Sequence, residues 1–137
     1  MPAVQYDRFT DARTHLKELL DAAEEGRPAA VIRQDRSTVL VDRQRFVRYL
    51  MALNAGRVEL VPDGDSWMAV VADSPVAAEG DDAADAIDEL IGALREYAED
   101  WSARLRLASN HEQNWGLVQL VDHSSDDELR VWMLGSG

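Results

Sequence analysis

The sequence contains no cysteine, which excludes disulfides, thiol nucleophiles and cysteine-ligated zinc and suits a reducing cytoplasm. Histidine is scarce. His15, His111 and His123 are the three present, and none stands three to five residues from another, so they form no helical metal-binding pair. No apolar run approaches the roughly 18 residues of a membrane span. The first residues, Met1-Pro2-Ala3-Val4-Gln5-Tyr6-Asp7, lack the charged head and apolar stretch of a secretory leader. The expectation is a cytoplasmic protein without membrane contact. A glycine-rich phosphate loop and a nucleophile elbow are also missing, so nothing points to a cofactor.

What is present is an uneven charge. The chain has 137 residues and a net charge of -12. Residues 1–57 carry ten Lys and Arg against eight Asp and Glu, net +2, whereas residues 58–137 carry four against eighteen, net -14. Such asymmetry predicts two modules with different partners, residues 1–57 and 58–137, joined near Asn54-Ala55-Gly56-Arg57. For the second half, acidity as a simple solubility device is an equal reading.

In the first half, Thr10 is placed to cap a helix whose apolar positions Ala12, Leu16, Leu19, Leu20 and Ala23 recur at helical spacing, and Gly26 followed by Pro28 ends it. Residues 29–33 and 38–41 are short β-branched runs around Gln34-Asp35-Arg36-Ser37, a hairpin without glycine. Asp42 then caps a second helix with Phe46, Tyr49, Leu50 and Leu53 along one face. A leading strand at residues 4–9 completes a β-α-β-β-α order. A unit this small and this poor in apolar residues barely packs a core alone, so a homodimer is expected.

The spaced pattern of Tyr6 to Phe9, Thr10-Asp11-Ala12-Arg13, Leu16 with Leu19 and Leu20, Val31-Ile32-Arg33-Gln34, Val39-Leu40-Val41 and Phe46 resembles the Phd/YefM antitoxins. The resemblance implies a homodimer that represses its own operon by binding operator DNA and neutralises a toxin. It implies DNA contacts from Thr10, Arg13, Arg33 and Arg36. The hairpin departs from the family by about one residue and by its missing glycine, which leaves the Arg36 contact open.

In the second half, residues 58–61 and 67–72 are predicted strands around the turn Pro62-Asp63-Gly64-Asp65-Ser66, with a third short strand at residues 76–79. Asp81 or Asp82 caps a long helix bearing Ile87, Leu90, Ile91, Leu94, Ala98, Trp101 and Leu105. Two short helices follow, the second with Asp126-Asp127 read as its caps. The strand-strand-Gly80-helix progression resembles the partial RNase H-like domain of HicB antitoxins, which implies protein binding and no nuclease. The fold class expected is α+β: a Phd/YefM-like dimerisation domain, then a small antiparallel sheet on a long helix.

Catalytic candidates are few. His15 reads as an exposed polar residue or a phosphate contact, Asp63-Gly64-Asp65 as a turn, and neither brings converging polar groups. Arg13 reads as a first-turn cation working against the helix dipole, and therefore as a contact for phosphate or guanine, or else as a solvated arginine or one paired to Asp7 or Asp11. Arg43, Arg45 and Arg48 read as the wet face of their helix. Trp67, Trp101, Trp115 and Trp132 all lie in the acidic half, as core residues or as anchors for a basic protein toxin. No enzyme activity is expected. The alternative is a protein-only interaction module with the same dimer fold.

Overall fold

The computed structural model describes residues 3–135. The chain divides into two compact units between Arg48 and Tyr49. That is earlier than the expected junction near Arg57, and it falls inside a helix.

The first unit is built on a three-stranded sheet, β1 (Val4–Tyr6), β2 (Ala29–Arg33) and β3 (Arg36–Leu40). β1 runs parallel to β2, with Val4 beside Ala29, and β2 pairs antiparallel with β3. A parallel pair needs a crossover. Here two helices supply it, α1 (Phe9–Thr14) and α2 (Leu16–Glu24), where the apolar spacing predicts one. The break is at His15, whose backbone (φ -111°, ψ 28°) leaves the helical region. Its ring stacks on Tyr6 at 4.9 Å and its Nδ1 lies 2.9 Å from the Asp11 carbonyl.

The break corrects two expectations. Thr10 is not a cap: Arg8 occupies the N-cap position, and the Thr10 carbonyl accepts a bond from the Thr14 hydroxyl inside α1. Arg13 stands in the last turn of α1, not the first. The core of this unit consists of Ala12, Leu19, Ala22, Ala23 and Ala29, with Val4, Tyr6, Val31 and Leu40 partly buried around them. Four of the five buried side chains are single methyl groups, so burial stabilises this unit little.

The helix α3 (Arg43–Leu53) crosses the division between units. The Asp42 carboxylate accepts from the Arg45 N–H at 3.2 Å, as its capping position predicts. Val47 and Leu50 are buried and Phe46 is half-buried, whereas Tyr49 and Leu53 are each 66% exposed. The buried stripe is thus displaced from the expected Phe46, Tyr49, Leu50, Leu53 face. It runs on to Asn54, a buried polar residue that a count of apolar positions passes over.

The second unit has the antiparallel sheet β4 (Val58–Asp63), β5 (Ser66–Val71) and β6 (Ala77–Gly80). Gly64, at φ +61°, takes part in the two-residue turn between β4 and β5. Helix α4 (Ala83–Ala103) packs on the sheet and buries Ile87, Leu90, Ile91, Leu94, Ala98 and Trp101. Of the two aspartates, Asp82 is the cap, accepting from the Asp85 N–H at 2.7 Å. Leu105 lies beyond the helix in a single 3₁₀ turn. Two short helices follow, α5 (Trp115–His123) and α6 (Asp126–Leu134).

The cap of α6 is Ser125, in a reciprocal capping box with Glu128; Asp126 and Asp127, expected as caps, occupy the first turn. Serine followed three residues later by glutamate is the pattern such a box requires. Arg95 ties α4 to the next helices by bonding the Val121 carbonyl, the Ser124 carbonyl and Asp126. Trp101 and Trp132 are core residues, Trp67 is half-buried and Trp115 is 51% exposed.

Candidate functional site

The hairpin of the first unit brings two cations together. Arg33 and Arg36 are directly opposite in the β2–β3 register, so their side chains leave the same face. Both are exposed. Like charges facing each other across a strand pair repel, and an external anion between them relieves that cost. The two-residue turn that causes the pairing has Gln34 at φ +59°, a left-handed conformation that glycine adopts without strain.

The Arg33 guanidinium lies 6.0 Å from the centroid of the Phe9 ring. Phe9 is 53% exposed, so the ring supports the cation while leaving it open to solvent. A cleft of about 310 Å³ lies here, lined by Phe9, Val31, Arg33, Gln34, Arg36 and Thr38. Two of the four arginine and threonine residues singled out in the sequence, Arg33 and Arg36, meet in it. Thr10 is next to Phe9 in the chain at the start of α1 and is exposed. Arg13 is not among the lining residues.

The electrostatic reason for Arg13 also changes. At the C-terminal end of α1 its charge complements the helix dipole, so its position no longer calls for an anion outside the protein. Residue spacing could not reveal this, because the apolar positions Ala12, Leu16, Leu19 and Ala23 keep helical spacing straight through the break at His15.

At the end of β1, paired with Val31, Tyr6 donates its hydroxyl to the Glu18 carboxylate at 2.5 Å. This bond holds the phenol pKa up to about 12. A further cleft of about 350 Å³ is mostly apolar, lined among others by Val4, Ala29, Val39 and Val41, with Arg27 and Arg45. Around the unit, Phe9, Leu16, Leu20, Val39 and Val41 are 44 to 66% exposed. These are large apolar side chains that the alanine-built core leaves in water.

Among the described residues no group of three or more His, Cys, Asp or Glu is arranged to hold a metal ion, and no helix is long and apolar enough to cross a membrane.

No known family profile matches the chain. No curated protein matches it either. Among solved structures, the fold is similar to that of the antitoxin part of a proposed toxin/antitoxin system from Syntrophomonas wolfei subsp. wolfei. The TM-score is 0.76 with 20% sequence identity, over 96% of this chain and 96% of that one. At that identity the likeness is one of fold.

Proposed function

We propose that this protein is an antitoxin that acts by binding and not by catalysis: a homodimer that neutralises a basic protein toxin and represses its own operon. The observation that carries the reading is the fold likeness to an antitoxin part over 96% of both chains. The Phd/YefM-like pattern of the first half and the HicB-like progression of the second agree with it.

The dimer is supported by the first unit's exposed Leu16, Leu20, Val39 and Val41. A unit whose core is largely alanine gains most of its apolar burial by pairing with a second copy. Operator binding is supported by the opposed Arg33 and Arg36. With two copies, about four arginines are available for phosphates at a separation fixed by the twofold axis. Arg13 and Thr10 remain proposed contacts through the family resemblance alone.

The test is a titration of the full chain with DNA from upstream of its own gene, at several salt concentrations. Expected is binding tighter than to random DNA. Its log affinity falls against log salt with a slope of roughly -3 to -4 if about four phosphates are neutralised. Arg33→Ala and Arg36→Ala each remove one contact from both subunits and reduce that slope by about 2. The second reading, a protein-only module, is favoured by the net charge of -12, which repels DNA at long range. Absence of binding at low salt, together with neutralisation of the adjacent gene's product on co-expression, establishes the second reading.

A further inference from the structure

The second unit carries an open sheet edge beside an apolar groove. In the order β4-β5-β6, β4 lies at the edge, and among the described residues its backbone is hydrogen-bonded to β5 alone. The Ala72 N–H donates to the Arg57 carbonyl at 2.8 Å, and the two-residue turn closes at Asp63 and Ser66. Hydrogen-bonded pairs alternate along an antiparallel ladder. Arg57, Glu59, Val61 and Asp63 therefore bond inward, while Val58 and Leu60 direct their N–H and C=O groups outward. Pro62 has no N–H to offer and limits the edge on that side.

The same alternation sorts the side chains. Leu60 is paired with buried Ala69, on the face that α4 covers, and it lines a groove of about 360 Å³ with Ile87 of α4 and Leu134 of α6. Leu134 is 64% exposed. Asp88 and Arg130 stand at the rim, where the Arg130 guanidinium donates to Asp88 and to Asp127. Glu59 and Asp63 lie on the opposite face of β4 and are exposed.

From these observations we infer that β4 is a docking edge for an extended segment of a protein partner in which apolar and basic residues alternate. Added as a strand against Val58 and Leu60, such a segment sets every second side chain into the groove beside Leu60, Ile87 and Leu134. The intervening side chains fall beside Glu59 and Asp63, where lysine or arginine makes cross-strand ion pairs. Charge complementarity selects this occupant: the unit carrying the groove holds 18 of the chain's 26 acidic residues. The inference rests on the reading that this acidic unit binds the toxin, and it names the surface and the partner's sequence pattern.

The probe is a synthetic hexapeptide of alternating lysine and valine, added to the isotope-labelled full chain and followed by NMR. An oligolysine and an alternating glutamate-valine peptide are the controls. Expected are shifts confined to β4, Ile87 and Leu134, slowed exchange of the Leu60 N–H, and about a tenfold loss of affinity in Leu134→Lys, whose exposed position leaves the fold intact.

Equal shifts with oligolysine, shifts spread over other acidic surfaces, or unchanged affinity in Leu134→Lys overturn the proposal. So does a self-association that Leu134→Lys abolishes, since a second copy would then occupy the groove. The wider reading fails separately. If the adjacent gene's product is neutralised equally by the parent chain and by Leu134→Lys, the antitoxin reading stands and this groove is not the site; if neither neutralises it, the antitoxin reading falls as well.

Discussion

The indole N–H of Trp132 donates to the carbonyl of Asn54 at 3.0 Å, joining residues 78 positions apart in a buried hydrogen bond. Asn54 is engaged on its other sides too. Its side-chain amide donates to the Leu50 carbonyl at 2.8 Å and its Oδ1 accepts from Arg57 at 2.8 Å, while Arg57 also donates twice to the Ala72 carbonyl. The stretch read in the sequence as a junction is thus an integral part of the second unit.

Two consequences are measurable. Trp132→Phe removes the indole donor and leaves the Asn54 carbonyl with the Arg57 N–H alone, at 3.3 Å, which lowers stability by about 0.5–1.5 kcal/mol, read from the denaturant midpoint. Trypsin cleaves the native chain at Arg104, whose side chain is 72% exposed, before it cleaves at Arg57. Early cleavage at Arg57 would show that the junction is a linker after all.

Gly80 has a different reason to be glycine. A Cβ built there would lie 2.2 Å from the Ala86 nitrogen and 2.6 Å from the Asp85 carbonyl carbon, backbone atoms that cannot step aside without moving the start of α4. Gly80→Ala is expected to cost about 1–3 kcal/mol through overpacking. Leu94→Ala, at a fully buried position, is expected to cost about 2–5 kcal/mol through the opposite fault, a cavity. Chemical denaturation of the full chain checks both, and a change near zero for Leu94→Ala would mean that the α4 stripe has no packing to lose.

Tyr6 gives a pH dependence with a definite sign. Its phenol is raised from 10.0 to about 12, first by the hydrogen bond to Glu18. Because the folded value is the higher one, the bond's contribution to stability is whole below pH 10. It is lost as pH rises from 10 through about 12. Tyrosinate absorbance should show one phenol ionising near pH 12 in the parent chain and moving down toward 10 in Glu18→Gln. An identical titration curve in that variant would show that the bond does not form in solution.

The hairpin pair offers a contrast within the first unit. Arg33→Ala relieves the repulsion between two opposed cations but gives up the contact with the Phe9 ring, two small effects of opposite sign, so it should leave stability nearly unchanged while weakening any DNA affinity. Arg13→Ala instead removes a cation that complements the end of α1 and should lower stability by about 0.3–1 kcal/mol. Thermal melts of the two variants side by side separate these effects. A loss of stability in Arg33→Ala larger than in Arg13→Ala would contradict the arrangement.

Much of the architecture was legible in the chain itself. Strict recurrence of Ile87, Leu90, Ile91, Leu94, Ala98 and Trp101 specifies α4, and β-branched runs around Asp63-Gly64-Asp65 specify β4 and β5, because side-chain periodicity is a local property of each backbone form. The charge division between residues 1–57 and 58–137 and the capping role of Asp42 are equally local. Tertiary structure decided what depends on partners far along the chain. The break between α1 and α2 falls at His15, against the Tyr6 ring, and puts Arg13 in a last turn, which reverses its electrostatic meaning. Trp132 draws Asn54 into a core, and the β2–β3 register sets Arg33 against Arg36. A residue pattern records which faces are apolar but not which distant groups complete them, since those contacts arise only when separate segments pack.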